Sequence, residues 1–516
     1  MIQSVCLSLS DLLGSSYIDS VCRASAALGL GTYDSLLELG QRKVDFYPAE
    51  LADFLDAQLE QSGEALFPVF AGSSAGAGTQ AFEAALHRQS APLSGLGFFR
   101  LPEDGCPALI AKSEHYQASL GHNFPGYGLL QFAARIGITN ITHNNTRGHV
   151  TRLLERELIR VANGLQREEQ EQLEALIASD EPHLLNRVLN LQTGSLACEA
   201  ALKMMLARFY RLQDNFPEPV HSGKTPVFLV MGDFKGGKEA NYHGTNILNQ
   251  LLRGMWPGLA ARMEAAGIYK CQPVPINDYA AFAEIFAREH SGNSRVAGFM
   301  HELVLMNYGG IRLQNAYVQA CHKLCQENEV PVFIDEIQSC MWSPEMLLYK
   351  EYGCRPDFVA IGKGFSGGTY PASRLLCSAK MDNLNQFGAL VTNGQEELAS
   401  LAYLITMRFA EENAAHIKEA GLSWQKMLTE LQGKNTHLIK KIEGDGLLAS
   451  IFFHQAEKAV QFCQKMQEKH HVDISAQTYK ADCPPAALSK LPLIASEKMM
   501  RRIIAKMSVS LNELQA

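Results

Sequence analysis

No apolar run in the sequence approaches the ~18 residues that a membrane-spanning helix needs. Phe228–Met231 and Ala449–Phe453 are only as long as core strands. No Lys/Arg block stands out, and 46 basic against 54 acidic side chains leave a formal charge of −8. That balance speaks against a nucleic-acid module or a binder of anionic membranes. Met1 to Asp11 carry neither a basic flank nor a small-residue cleavage pattern, so no secretory signal is read there. The twelve cysteines, scattered from Cys6 to Cys483, make no disulfide framework, and reduced, buried thiols in a cytoplasmic protein are expected. Only Cys321 and Cys325 sit close, at helical spacing around His322, and no metal site is assigned to them. Internal repeats and low-complexity segments are also missing.

What is present is an ordinary globular composition, 47% apolar and 19% charged over 516 residues. At ~150 residues per domain the length suits about three units, or two in a large α/β protein. Residues 1–95 read as a mostly helical N-terminal extension, with Leu51, Phe54, Leu55 and Leu59, and then Phe82, Ala85 and Leu86, at helical spacing. Residues 96–160 read as the first part of a smaller α+β unit, turn-rich up to Tyr127. The Glu/Arg alternation from Thr151 to Ser179 reads as a solvated helix face. Over 161–400, strand patterns at Val227–Met231, Val296–Val304, Val332–Ile334 and Phe358–Ile361 alternate with helical ones at Tyr279–Glu289 and Ala316–Asn328. Buried β-branched runs alternating with helices predict βαβ units and a mainly parallel sheet. Residues 401–516 complete the smaller unit, with a strand at Leu447–Phe453 and helices at Ala456–Lys469 and from Glu497.

In an open parallel sheet, ligands collect at the carboxyl ends of the strands. Val332–Ile334 runs into Asp335-Glu336-Ile337-Gln338, and Phe358–Ile361 into Gly362-Lys363-Gly364. An acid after one strand and a lysine between glycines after another suggest a built site, since glycine lets backbone approach a ligand closely. A buried Asp–Lys pair, or a lysine reaching solvent, is the plainer alternative. Gln192-Thr193-Gly194-Ser195 precedes a helical pattern, and a Gly-Ser at a helix start offers N–H groups, a hydroxyl and the positive dipole end to an anion. An ordinary N-cap would look the same.

Taken together, these elements resemble the class III aminotransferases, pyridoxal-phosphate enzymes of fold type I. The likeness runs from about Gly121 to the end of the chain. Thr193-Gly194-Ser195-Leu196-Ala197 stands for the family's Ser-Gly-Thr-Glu-Ala, Tyr242-His243-Gly244 for Tyr-His-Gly, and Asp335-Glu336-Ile337-Gln338 for Asp-Glu-Val-Gln. Pro356-Asp357 precede the strand that leads to Lys363, and Gly121-His122-Asn123-Phe124-Pro125 is similar to the family's Gly-His-x-x-Pro turn. The resemblance implies an α/β fold with a mainly parallel sheet, plus a smaller α+β domain built from N- and C-terminal segments. It implies pyridoxal 5'-phosphate held as a Schiff base on Lys363, which would also move protons as acid and base. Asp335 would face the pyridinium nitrogen, Gln338 the ring hydroxyl and Tyr242 the ring face, with His243 beside it. Gly194 and Ser195 would take the phosphate, joined by Thr392 of a neighbouring subunit, so a homodimer is implied. Glu302, where the family often has Glu-Pro, is placed near the site.

Departures from the pattern bear on the substrate. The usual Gly-Phe-Gly-Arg after the Asp-Glu-x-Gln element is replaced by Ser339-Cys340-Met341-Trp342-Ser343-Pro344. Lys490-Leu491-Pro492-Leu493 stands where an arginine often precedes Pro-Pro-Leu, and Lys235-Gly236-Gly237-Lys238-Glu239 is an unusual Lys/Gly stretch between Phe234 and Tyr242. Arginines in such places grip carboxylates through paired hydrogen bonds, so their absence points away from the usual keto-acid acceptor. An aminotransferase acting on an amine or amino acid is the expectation. A racemase, aminomutase or decarboxylase could use the same lysine and acid, because the protein chooses which bond is broken. A scaffolding protein on the same fold would have no need of all three of Lys363, Asp335 and Gln338. Gly76-Ala77-Gly78-Thr79-Gln80-Ala81 also fits a dinucleotide fingerprint after a short strand at Leu66–Phe70, which keeps an oxidoreductase as a further alternative.

Overall fold

Seven strands build the central sheet: β1 (Leu185–Leu191), β2 (Thr225–Met231), β3 (Lys270–Val274), β4 (Ser294–His301), β5 (Val332–Asp335), β6 (Phe358–Ile361) and β7 (Ser373–Ser378). They lie in the order β1-β7-β6-β5-β4-β2-β3. Pairings among β6, β5, β4, β2 and β3 are parallel, while β7 runs antiparallel between β6 and β1. Both faces are covered, so β5 and β6 are buried along their whole length and read as unbroken apolar runs. The computed structural model describes residues 2–74, 76–80, 91–112, 117–141, 143, 145–478 and 484–514.

The mainly parallel α/β sheet expected from the sequence is present, and Tyr279–Glu289 and Phe358–Ile361 form their elements with the expected bounds. Three strands escaped the hydrophobic pattern. β1 carries the buried Asn186 and Asn190, β3 contains Pro273 at the sheet edge, and β7 contains the buried Arg374. The strand expected to reach Val304 stops at His301. Val304–Leu305 instead pairs with Ile311–Arg312 in a separate hairpin, so Glu302 sits at the break.

Two three-stranded antiparallel sheets make the smaller unit, one of Pro92–Leu96, Phe99–Pro102 and Ala108–Leu109, the other of Ile439–Asp445, Leu448–Phe453 and Ala486–Lys490. Lys490 N–H donates to Ala111 O and stitches one sheet to the other. Ahead of them, helices at Leu9–Leu13, Ser15–Ala27, Tyr33–Gln41 and Ala49–Ala57 give the N-terminal segment its helical character. A small ladder of Cys6–Leu7 with Val44–Asp45 interrupts it. The helical pattern at Phe82, Ala85 and Leu86 lies outside the described residues. Leu66–Phe70 forms no strand: the N–H groups of Leu66 and Phe70 bond to Gly105 O and Glu103 O in an irregular pairing. The dinucleotide fingerprint that follows therefore lacks the strand it requires.

The Glu/Arg alternation is more than a solvated face. Helix α1 (His149–Ala162) packs along the later helix α3 (Glu397–Glu412), with α2 (Gly194–Leu206) between them in the chain. Arg160 is buried in that contact, 2.8 Å from Glu411 and 3.0 Å from Glu157, and Arg167 binds the same two carboxylates. Burial would raise the Glu411 carboxyl, but Arg167 and Arg160 hold it below the ordinary glutamate value. Removing one partner of a buried pair strands the other charge. Glu411→Gln is expected to lower unfolding stability by on the order of 2 kcal/mol at neutral pH. Because this carboxyl is depressed in the folded chain, the loss should shrink as pH falls below the ordinary glutamate range. Urea unfolding at several pH values checks this, and a pH-independent or absent effect contradicts it.

Candidate active site

Asp335 ends β5 opposite Ala360 of β6, so β6 delivers Lys363 to the same edge of the sheet one turn later. Ile334 pairs with His301 of β4, which brings Glu302 to that edge as well. The ends of β5 and β6 open on one cavity of about 270 Å³, which Glu302 adjoins through Gln338. Its walls include Thr193, Gly194 and Ser195 at the start of α2, Tyr242, His243 and Gly244, then Asp335, Gln338 and Lys363.

Lys363 begins a tight turn, Lys363–Ser366, with its own backbone at φ 39°. A residue with a side chain rarely adopts that left-handed region, and holding one there costs of order 1–3 kcal/mol. The turn is fixed by Ser119 Oγ donating to Gly364 O at 2.6 Å and Ser366 Oγ donating to Tyr370 O at 2.8 Å. Burial pushes the Lys363 amine below the usual lysine value, while Glu302 and Asp335 pull it back up.

Asp335 is buried and its oxygens are all engaged from the protein side. Oδ1 accepts from Ile337 N–H at 3.1 Å, and Oδ2 accepts from His243 Nδ1 at 2.8 Å and from the Cys198 thiol at 3.4 Å. His243 is buried too, and its Nε2 has no hydrogen-bond partner among the described residues. Gln338 Nε2 donates to Glu302 Oε2 at 3.1 Å, and its Oε1 can only accept. Tyr242 is half-buried, with the Arg253 guanidinium 5.5 Å behind its ring.

At the start of α2, Leu196 N–H bonds to Thr193 O at 3.0 Å, and Thr193 makes no side-chain cap to the first turn. Ser195 Oγ accepts from Thr245 N–H at 3.0 Å, and Asn249 Nδ2 donates to Ser195 O at 2.9 Å. Two glycines allow this closeness. A Cβ on Gly194 would lie 2.2 Å from Ile337 Cδ1, and one on Gly244 (φ +123°) would lie 2.6 Å from the Ser195 backbone.

Of the residues singled out from sequence, Gly194, Ser195, Tyr242, His243, Asp335, Gln338 and Lys363 line this cavity together. Glu302 reaches them through Gln338. Thr392 does not: it is exposed and absent from the described lining. Sequence reasoning missed Cys198, although it lies four residues beyond Gly194 on the same helix face, a spacing that could have placed it. Gln117, Ser366 and Tyr370 were also missed, and nothing in their local pattern marks them.

The fold is shared with solved transferase structures. An ornithine aminotransferase from Toxoplasma gondii ME49 superposes with a TM-score of 0.65 at 18% identity, covering 90% of this chain and 96% of that one. A transaminase from the marine bacterium Virgibacillus gives 0.66 at 15% identity, over 90% and 99% of the two chains. Over residues 120–472 the sequence matches the aminotransferase class-III family, and the chain belongs to it. A probable mitochondrial ornithine aminotransferase of Caenorhabditis elegans is 24% identical over 55% of this chain and 63% of its own length. An acetylornithine aminotransferase of Parasynechococcus marenigrum (strain WH8102) is 26% identical over 46% and 57%. The chain thus matches less than two thirds of the length of these curated relatives.

Glu336 shows what fixes the loop between the acid and Gln338. Wholly buried, it accepts from Leu348 N–H at 2.8 Å, Tyr349 N–H at 2.7 Å and Ser339 Oγ at 3.1 Å. Burial pushes its carboxyl up to about 7 despite those bonds. A carboxyl raised in the folded state favours folding in acid and loses that contribution as pH rises through the folded value. Wild type should therefore lose on the order of 3 kcal/mol relative to Glu336→Gln between pH ~4.5 and ~7. Urea midpoints of both proteins across that range test it, and a constant gap would contradict it.

Proposed function

We propose that this chain is a pyridoxal-phosphate-dependent aminotransferase that moves an amino group from an amine or amino acid to a carbonyl acceptor. The observation that carries the proposal is the convergence of Lys363 and Asp335 on one cavity whose third wall is an uncapped helix start. The residues fit the cofactor. The N–H groups of α2 and the Ser195 hydroxyl would bind its phosphate. Asp335, oriented by His243 and Cys198, would face its ring nitrogen. Gln338 Oε1 would accept from its ring hydroxyl, Tyr242 would cover a ring face, and Lys363 would hold it covalently through Nζ. The unpartnered His243 Nε2 and the close-approach glycines mark the space as built for a bound group.

When bound, the cofactor supplies the electron sink that stabilises a carbanion. The protein supplies the rest. The Lys363 amine, lowered by burial, is poised to take the proton from the substrate carbon at Nζ and return it elsewhere. Asp335, held by His243, Cys198 and Ile337 N–H, would set its carboxyl group toward the ring nitrogen, at the end of a strand buried along its length. Lys363 is the cation among the described lining residues, and no arginine is among them. This supports a donor or acceptor gripped by something other than a pair of arginine–carboxylate bonds.

The same reading makes the active unit a homodimer. Thr392 is exposed and away from its own chain's cavity, which suits a hydroxyl lent to a second copy. It also divides the chain as expected above, with the large unit over 161–400 holding the cofactor. A cytoplasmic setting is supported by cysteines that are all free among the described residues. No described helix is long and apolar enough to cross a membrane.

Purified protein loaded with pyridoxal phosphate should be yellow, and borohydride should fix the pyridoxyl group on the Lys363 peptide. Lys363→Ala should fold normally and lose at least ~10³-fold in turnover; full activity, or label on another peptide, would refute the assignment. Asp335→Asn should retain bound cofactor but lose ~10²-fold or more in turnover, because the ring loses its charge partner. Wild-type turnover in that variant would exclude Asp335 from the role. Turnover of an amine-bearing substrate with no keto acid present, and with the yellow band retained, would point to a racemase, aminomutase or decarboxylase.

A further inference from the structure

In the smaller unit, Asp104, Cys106 and His471 bring a carboxylate oxygen, a thiol sulfur and an imidazole nitrogen within 4.8 Å of one another. Two distant stretches of the chain supply them. Asp104-Gly105-Cys106 follows the strand Phe99–Pro102, and Asp104 Oδ1 accepts from Cys106 N–H at 3.0 Å in a tight turn. Gly105 permits that turn, since its φ is +81° and a Cβ there would lie 2.2 Å from Phe67 O. His471 is carried to the turn by backbone pairing. Leu109 N–H donates to His471 O and Asp473 N–H to Leu109 O, each at 2.9 Å, in the parallel bridge of Leu109 with Val472. The His471 ring also packs against Gly63, whose N–H donates to Pro107 O at 3.0 Å.

The three donors suit a borderline divalent cation. Zn²⁺ takes thiolate, imidazole and carboxylate at ~2.0–2.3 Å in a tetrahedron, which sets ligand atoms about 3.3–3.8 Å apart. Atoms already within 4.8 Å reach that spacing by a closure of roughly an ångström. All three residues are half-buried, so an ion has a path in and a fourth position open to water. Cys198, His243 and Asp335 also converge, but they already bond to one another at 2.8 and 3.4 Å and belong to the cavity above. Among the described residues, no hydrogen bond joins the side chains of Asp104, Cys106 and His471 to each other; the Cys106 thiol donates to the Asp104 backbone carbonyl at 3.9 Å. Lys506 is the cation that faces His471, and it is held by Ser62 O, Ser62 Oγ and His470 O at 3.2, 2.9 and 2.8 Å. Those bonds brace the backbone beside Gly63 and His471, while a carboxylate and a thiolate together offset the charge of a divalent ion.

We propose that Asp104, Cys106 and His471 form a Zn²⁺ site that clips the turn after Phe99–Pro102 to the segment following the helix Ala456–Glu468. Binding forms bonds from Cys106 Sγ, a His471 ring nitrogen and an Asp104 carboxylate oxygen to the metal. The thiol proton leaves to solvent, and nothing is oxidised or reduced. None of the three residues lines the cavity that holds Lys363 and Asp335, so the site stands or falls independently of the aminotransferase reading.

The test is titration of the reduced, metal-free full chain with Zn²⁺ in competition with a chromophoric chelator. Wild type should bind one equivalent per chain, and its thermal midpoint should rise with added Zn²⁺. Cys106→Ser and His471→Asn should each weaken that binding by at least the ~10–100-fold that loss of an outer-shell partner costs, and should lose the thermal rise. Asparagine tolerates the left-handed backbone of position 471 (φ 51°), and either variant serves if the other does not fold. Cys198→Ser should keep the equivalent. With Co²⁺ as the probe, wild type should show a thiolate-to-metal charge-transfer band that Cys106→Ser lacks. No stoichiometric binding in wild type, unchanged affinity in a folded Cys106→Ser or His471→Asn, or loss of the equivalent in Cys198→Ser instead, overturns the proposal.

Discussion

Everything at this site depends on the in-register parallel pairing of β5 and β6, with Asp335 opposite Ala360. Parallel neighbours release their next residues at the same edge, so an acid and a lysine 28 positions apart emerge side by side without a special loop to join them. β4 adds Glu302 by the same rule, through the pairing of Ile334 with His301. A one-residue slip in either pairing would turn Asp335 to the other face of the sheet. The long apolar strands, buried on both faces, make that slip expensive.

A consequence of building a site at that depth is that charge must be managed by neighbours instead of by water. Asp335 is satisfied by a backbone amide, an imidazole and a thiol, and Glu336 by two backbone amides and a hydroxyl. Lys363 shares its surroundings with Glu302 and a second buried lysine. That second lysine, Lys490, ends the strand Ala486–Lys490 and donates to the Gln338 carbonyl.

The chemistry-bearing elements were legible because each pairs a strand-length apolar run with polar residues at its carboxyl end. Val332–Asp335 and Phe358–Ile361 announce themselves in that way, and so does the Thr193-Gly194-Ser195 helix start. What stayed hidden is tertiary. β1 and β7 bury Asn190 and Arg374 where a strand pattern wants apolar side chains, because those groups bond inside the fold: Asn190 to Glu155, and Arg374 to Leu191 O and Ser400. The Glu/Arg helix looked solvent-facing because its partner, Glu411, lies some 250 residues away. Lys490 looked like a substitute for a substrate-binding arginine, but its amine points into the protein at the Gln338 carbonyl, a contact no local pattern reveals.

The most direct measurement is a crystal structure of the protein grown with pyridoxal phosphate. The account predicts continuous density from Lys363 Nζ to the cofactor, the phosphate on the first N–H groups of Gly194–Leu206, and an Asp335 carboxylate oxygen at ~2.7–2.9 Å from the ring nitrogen. Cofactor joined to another lysine, or seated with its ring nitrogen away from Asp335, would contradict it.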